Sequence, residues 1–228
     1  MTSGKQVRLE AVIREMTRPL NGQYPRPWMT KSTDPASSEV FTVGMNQRNG
    51  FPAKEVGSHE HYINALFNRG PESCRQLYDR RTDKPSPTRR NTDDLVARLG
   101  RHGVTNVLET NVICYSTPMS ADLRQHVHVG GKERGRELFA ALLQIIAPKV
   151  MIAHGSGTAT ELARLLGHPI PPPPQSPGEP VEVAVGDATV IVIPSLAPPG
   201  YNRWSRWAPE HLDHVCRHVA ALLARTRA

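Results

Sequence analysis

The sequence predicts an α/β fold with a central, mostly parallel four-stranded sheet flanked by helices. Short apolar, β-branched runs alternate along the chain with segments of helical periodicity. The runs end in loops rich in Gly, Asn, Ser and Pro, as expected where strands of such a sheet open onto a site. A length of 228 residues suits one compact domain with elaborated loops. The domain is expected to span 1–228, with an N-terminal helical extension over 1–36.

Taken in order, Lys5 to Thr17 place Val7, Leu9, Val12, Ile13 and Met16 at mostly helical spacing, which predicts a first amphipathic helix. The run Val40-Phe41-Thr42-Val43 predicts a buried strand ended by Gly44 and followed by the loop Met45 to Pro52. Helices are expected over Glu60 to Asn68 and Pro71 to Arg80, then a basic loop from Arg81 to Arg90. Thr92, before Asp93 and Asp94, predicts the cap of a helix ending near Gly103. Val104 to Cys114 reads as a second strand, Glu133 to Ile146 as an apolar helix and Lys149 to Ala153 as a third strand. Thr158 and Glu161 fit a capping box, so a helix is expected from there to Gly167. Pro171 to Pro174 form an extended connector. Gly186-Asp187 joins Val181–Val185 to Thr189–Ile193 as a hairpin delivering the last strand, and Pro209 to Ala224 closes the chain as a helix.

Composition narrows the function. Hydrophobic residues make up 38% and charged residues 21%, which fits a globular chain rather than a disordered one. Against 21 Asp+Glu stand 28 Lys+Arg, a formal charge of +7 and a pI near 9.7. That excess favours a polyanion such as DNA through counterion release, although basicity also serves solubility alone. Cys74, Cys114 and Cys216 are too scattered for a disulfide framework or a cysteine metal cluster, which fits a reducing, cytoplasmic setting. No signal core or membrane-length apolar run is present, so no membrane partner is expected.

The candidate site residues lie where the predicted strands end. Asn46 follows the first strand, within Gly44-Met45-Asn46, beside Gln47, Arg48 and Phe51. Glu109 and Asn111 share one face of the second strand by the period of two. The third strand runs into His154-Gly155-Ser156-Gly157-Thr158, and the last into Pro194-Ser195-Leu196 with Tyr201 and Arg203 beyond. In that order these segments resemble the uracil-DNA glycosylase superfamily over roughly Val40 to Asn202. The resemblance implies a monofunctional enzyme, without metal or redox cofactor, that hydrolyses the N-glycosidic bond of a base flipped out of DNA and leaves an abasic site. It makes Asn46 the group that positions the attacking water, Asn111 the reader of the base edge, Gln47 and Phe51 pocket residues with Phe51 as stacking wall, and Leu196 the wedge, with Pro199 or Tyr201 as alternatives. Arg48, Ser156, Thr158, Ser195, Tyr201 and Arg203 become DNA contacts, the first turn after Gly155 holding a phosphate. The partner is DNA, and the chain is expected to act as a monomer.

Two departures shape the substrate. An amide at position 46 orients water or stabilises a cationic sugar but is a poor general base, so Glu109 is a candidate for the missing acid or else a structural ion-pair partner. Ile193 stands where the family has a histidine that helps the departing base, and Gln47 stands where relatives carry proline. The resemblance therefore turns from uracil toward a modified pyrimidine, with the anti-phage glycosylases acting on glucosylated hydroxymethylcytosine as the branch in view. Uracil or deaminated-base repair, a non-catalytic nucleic-acid-binding module and a nucleoside-directed hydrolase stay open as alternatives. His59-x-His61, His126-x-His128 and His211, His214 and His218 are read as ordinary surface or core histidines. Arg203, Trp204, Arg206 and Trp207 offer a cationic, aromatic surface for unstacked nucleic acid, or else a packed tryptophan.

Overall fold

The computed structural model describes residues 3–226; the outermost residues of the expected domain, 1–2 and 227–228, lie outside the described residues. In chain order the elements are α1 (Gly4–Met16), β1 (Gln23–Tyr24), β2 (Val40–Asn46), β3 (Phe51–Pro52), α2 (Ala53–Val56), α3 (His59–Leu66), α4 (Cys74–Asp79) and α5 (Pro87–Arg101). Then follow β4 (Val107–Ile113), α6 (Gly131–Ile146), β5 (Val150–His154), α7 (Ser156–Leu166), β6 (Val181–Val185), β7 (Ala188–Ile193) and α8 (Ala208–Arg225).

The fold is α/β, with a five-stranded, mostly parallel sheet in the order β4-β2-β5-β7-β6 flanked by helices. The fifth strand corrects the expected four. β6 pairs antiparallel with β7, Val181 opposite Val192, so the hairpin that delivers β7 also adds an edge strand. Its burial alternates along Val181–Val185, as an edge strand with one solvated face requires. β2, β5 and β7 run parallel, with Val40 opposite Val150 and Val150 opposite Thr189. Val40–Val43, Val150–Ala153 and Val190–Ile193 are buried at every position, which is why these strands read as continuous apolar runs. Parallel pairing brings their carboxyl ends out at the same sheet edge. A small second sheet pairs β1 with β3, an element with no periodicity to announce it.

The chain divides into two compact units, each described by itself. The first comprises the segments through Ser38, Gly44–Asp83 and Leu108–Ala147. In it Leu9 and Ile13, four residues apart on α1, are wholly buried, and Lys5 Nζ donates to the last carbonyl of α6, Ile146, at 2.6 Å. Trp28 and Tyr62 are also wholly buried, their polar tips donating to the carbonyls of Leu66 and Pro25 at 2.9 Å each. α6 comes so close to the end of β4 that a Cβ at Gly135 would lie 2.9 Å from the Cys114 nitrogen.

The second unit comprises Glu39–Val43, Lys84–Val107 and the chain from Pro148 onward. Ile152, Ile191 and Ile193 from the strands pack with Leu95 and Leu99 of α5 and with Leu212, Val215 and Val219 of α8. Two helix starts differ from expectation. α5 begins at Pro87, with Ser86 accepting from the Arg89 nitrogen at 3.1 Å; Thr92 instead returns its hydroxyl to the Thr88 carbonyl. Proline at the first helical position sacrifices no hydrogen bond and outweighs the acidic pair after Thr92. α7 begins at Ser156 behind Gly155, whose φ of 88° lies in the left-handed region. The Thr158–Glu161 capping box does not form, because Thr158 is already inside the helix and Glu161 pairs with Arg164 at 2.7 Å. Gly167 closes α7 with a φ of 62°, as read from the sequence.

Gly135→Ala is expected to destabilise the protein by about 1–3 kcal/mol through overpacking against backbone. Gly100→Ala, in open space on α5, is expected to be neutral or stabilising by up to about 1 kcal/mol. Denaturant midpoints of the two variants check both.

Candidate functional site

In the first unit, β2 extends to Asn46, three residues past the expected strand end, with Met45 and Asn46 half-buried. The Asn46 amide is held from both sides. Thr117 Oγ1 has one proton, which goes to the Met119 carbonyl at 2.7 Å, so at 2.8 Å from Asn46 it accepts from Nδ2. Oδ1 is thereby oriented and takes a hydrogen bond from Ser120 Oγ at 2.6 Å. A second lone pair on Oδ1 stays available to a water. Thr117 and Ser120 lie 71 and 74 residues from Asn46 in sequence; sequence reading missed them, and small hydroxyl residues after a strand end were the only signal.

Beside Asn46, Gln47 is 4% exposed and donates through Nε2 to the Arg26 carbonyl at 2.8 Å. Its Oε1 is buried without a donor. Gln23 repeats the pattern, with Nε2 donating to the Ser116 carbonyl at 3.0 Å and Oε1 left without a donor. Gly50 makes room for it, since a Cβ there would lie 2.4 Å from Gln23 Oε1. The small residue at 50 thus serves internal packing. Phe51 is not an open stacking wall: its ring is 1% exposed, the Arg26 guanidinium lies 5.3 Å over it and Tyr62 meets it edge-on.

Glu109 and Asn111 do share a half-buried face of β4, alternating with buried Leu108, Thr110 and Val112. Glu109 is bridged to Met29 through backbone hydrogen bonds of 2.8 and 3.0 Å. The Asn111 carbonyl accepts from Cys114 Sγ at 3.1 Å, while its side-chain amide has no hydrogen bond among the described residues. Arg48 is exposed and carries no ion pair among the described residues.

The remaining expected DNA contacts fall in the second unit, at the ends of β5 and β7. Gly155 donates to the Ile193 carbonyl at 2.9 Å, and Ile193 itself is fully buried. Ser195 is clasped by glycines: a Cβ at Gly155 would lie 3.4 Å from its Cβ, and one at Gly200 would lie 2.8 Å away. Its hydroxyl closes a local turn with Ala197, and its carbonyl accepts from Trp204 Nε1 at 2.9 Å. Leu196 is not a wedge. It is 0% exposed within the core, and Asn91 holds its carbonyl at 2.8 Å. Ser156 is exposed on the first turn of α7, whereas Thr158 is 2% exposed and offers no hydroxyl to a phosphate. Tyr201 is half-buried against Trp204, itself a core residue at 2% exposure, while Arg203 and Arg206 are exposed.

Two of the four cations in the basic segment are accounted for internally. Arg81 pairs with Glu55, and Arg89, on α5, pairs with Asp93 at 2.9 Å. Among the described residues no group of three His, Cys, Asp or Glu side chains is placed to hold a metal ion. Five of the seven histidines singled out by spacing have other partners, His59 with Thr17, His61 with Glu72, His128 with Tyr115, His214 with Glu179 and His218 with Glu182. All three cysteines are buried thiols outside any disulfide. Burial pushes the thiols of Cys114 and Cys216 up to about 12, so neither is a ready nucleophile. At the end of β5, His154 is half-buried, but its Nδ1 is out of reach of solvent and has no hydrogen-bond partner. Burial pushes its imidazole down to about 4, so it is neutral beside Gly155 at physiological pH and adds no charge for a phosphate. No protein-family model matches the chain, and no curated protein matches it significantly. Among the described residues no helix is long and apolar enough to cross a membrane.

Leu196→Ala is expected to cost about 2–5 kcal/mol of stability, as a core truncation does, read as a lower denaturant midpoint. For His154 the folded protein binds fewer protons than the unfolded chain between pH 6.5 and about 4. Its contribution is therefore complete above pH 6.5 and lost as pH falls through that window, on the order of 3 kcal/mol. Urea unfolding across that range should give a shallower pH slope for His154→Asn than for wild type.

Proposed function

We propose that this chain is a monofunctional DNA glycosylase that hydrolyses the N-glycosidic bond of a flipped, modified pyrimidine and leaves an abasic site. The observation that carries the reading is the oriented Asn46 carboxamide at the carboxyl end of β2, fixed by Thr117 and Ser120. Cleavage of this bond passes through a cationic sugar, so a preorganised carbonyl dipole beside it lowers the barrier and directs the water that captures it. Asn46 Oδ1 fills that role without deprotonating the water, which suits a transition state in which the base has largely departed. The half-buried Asn111 amide, uncommitted among the described residues, supplies donors to the base edge and to the negative charge that develops on it. Positive charge on the chain as a whole supports a nucleic-acid substrate.

The burial of Ile193 favours a second reading, a nucleic-acid-binding protein of this fold without catalysis, because no side-chain donor stands at that position for the leaving base. Alkali treatment separates the two. Duplex and single-stranded DNAs carrying uracil, hypoxanthine, hydroxymethylcytosine or glucosylated hydroxymethylcytosine are expected to yield alkali-labile sites for at least one modified pyrimidine. Binding to all without any such site supports the second reading. On the DNA that is cleaved, Asn46→Ala should lower kcat by roughly 100-fold or more, the usual scale for losing one preorganised polar group, with KM little changed. Wild-type rates for Asn46→Ala would remove it from the mechanism.

A further inference from the structure

A base that leaves the duplex opens a gap in the stack, and an apolar side chain that enters it holds the flipped state open. Leu196 is buried and cannot do so. Among the described residues the exposed large hydrophobics are Val7, Met119, Val127 and Val129, and three of these four lie within residues 119–129. Met119 is the most exposed, at 67%. Scattered apolar residues on a surface need no explanation, but this one is held rigidly. Its N–H donates to Asp122 Oδ2 at 2.9 Å. Its carbonyl accepts from Thr117 Oγ1 at 2.7 Å and from the Asp122 nitrogen at 3.0 Å. The next residue, Ser120, is the one that donates to Asn46 Oδ1.

We infer that Met119 is the wedge that enters the base stack of duplex DNA beside the Asn46 site, an assignment that rests on the glycosylase reading for where the flipped base sits. An unbranched thioether suits the task, because it is polarizable, stacks on aromatic edges and adapts to an irregular gap. The same hydrogen-bonded turn links Met119 to the Asn46 amide through Thr117. Exposed Arg48 lies two residues from Asn46 and exposed Arg124 four residues from Ser120. Neither carries an ion pair among the described residues, so both guanidinium groups are free to meet phosphates.

The test measures binding, not base release. Fluorescence anisotropy would compare the full chain on three DNAs of one sequence: an intact duplex, a duplex with a tetrahydrofuran abasic analogue flanked by 2-aminopurine, and the single strand. Wild type is expected to prefer the gapped duplex and to change its 2-aminopurine fluorescence. Met119→Ala should lose that fluorescence change and about tenfold in affinity for the gapped duplex, while single-strand binding stays the same. Met119→Leu should restore both, and thermal unfolding of the variants should match wild type because the side chain is exposed. Equal binding of the gapped duplex by Met119→Ala and wild type, or no gap preference in wild type, would overturn the assignment. A gap preference lost in Met119→Ala, with no alkali-labile product from any DNA, would keep the wedge and remove the glycosylase reading.

Discussion

Three parallel strands, β2, β5 and β7, buried at every position of Val40–Val43, Val150–Ala153 and Val190–Ile193, set the constraint on which the rest depends. A strand buried on both faces leaves little room for polar side chains before its end, the small Thr42 being the exception in β2. Asn46, His154 and the Pro194-Ser195 turn therefore stand at the carboxyl ends, where polarity first becomes affordable. From there the structure depends on hydroxyl groups with a single proton to give. The Thr117 proton, committed to the Met119 carbonyl, decides which end of the Asn46 amide faces which partner. An unconstrained asparagine would sample both orientations, and only one presents an oxygen to a cationic sugar.

Much of the fold was legible because burial was continuous. Val40–Val43, Lys149–Ala153 and Thr189–Ile193 read as strands from their β-branched, apolar character, and Gly167 announced a helix end. The fifth strand was visible as half of a hairpin, but its role as a sheet edge is a matter of pairing, which a local pattern does not contain. Helix starts were misread where two capping signals competed. Ser86-Pro87 prevailed over Thr92-Asp93-Asp94 because a proline fits only the first turn.

The site was legible to the extent that its residues occupy strand ends. Asn46 and the shared face of Glu109 and Asn111 follow from strand periodicity. Thr117 and Ser120 do not, since their meeting with Asn46 is a long-range contact between loops. Leu196 and Phe51 show the opposite error: apolar residues in loops beside polar motifs look like ligand surface, and here the core claims both. The charge excess is similarly redistributed. Arg14, Arg69, Arg81, Arg89 and Arg98 serve carboxylates of the same chain, while Arg48, Arg124, Arg203 and Arg206 are among the exposed cations without an ion pair among the described residues.

The edge strand β6 bears on the protein's behaviour at high concentration. A sheet ending in a long, flat apolar strand offers its unpaired backbone to any neighbouring chain and seeds aggregates. β6 is five residues long, begins directly after Pro180, and places Glu182 at its second position, where it meets His218 at 2.7 Å. Shortness, a proline at the entrance and a buried-charge penalty for any strand laid alongside make it a poor template, so the sheet stops growing at its own boundary.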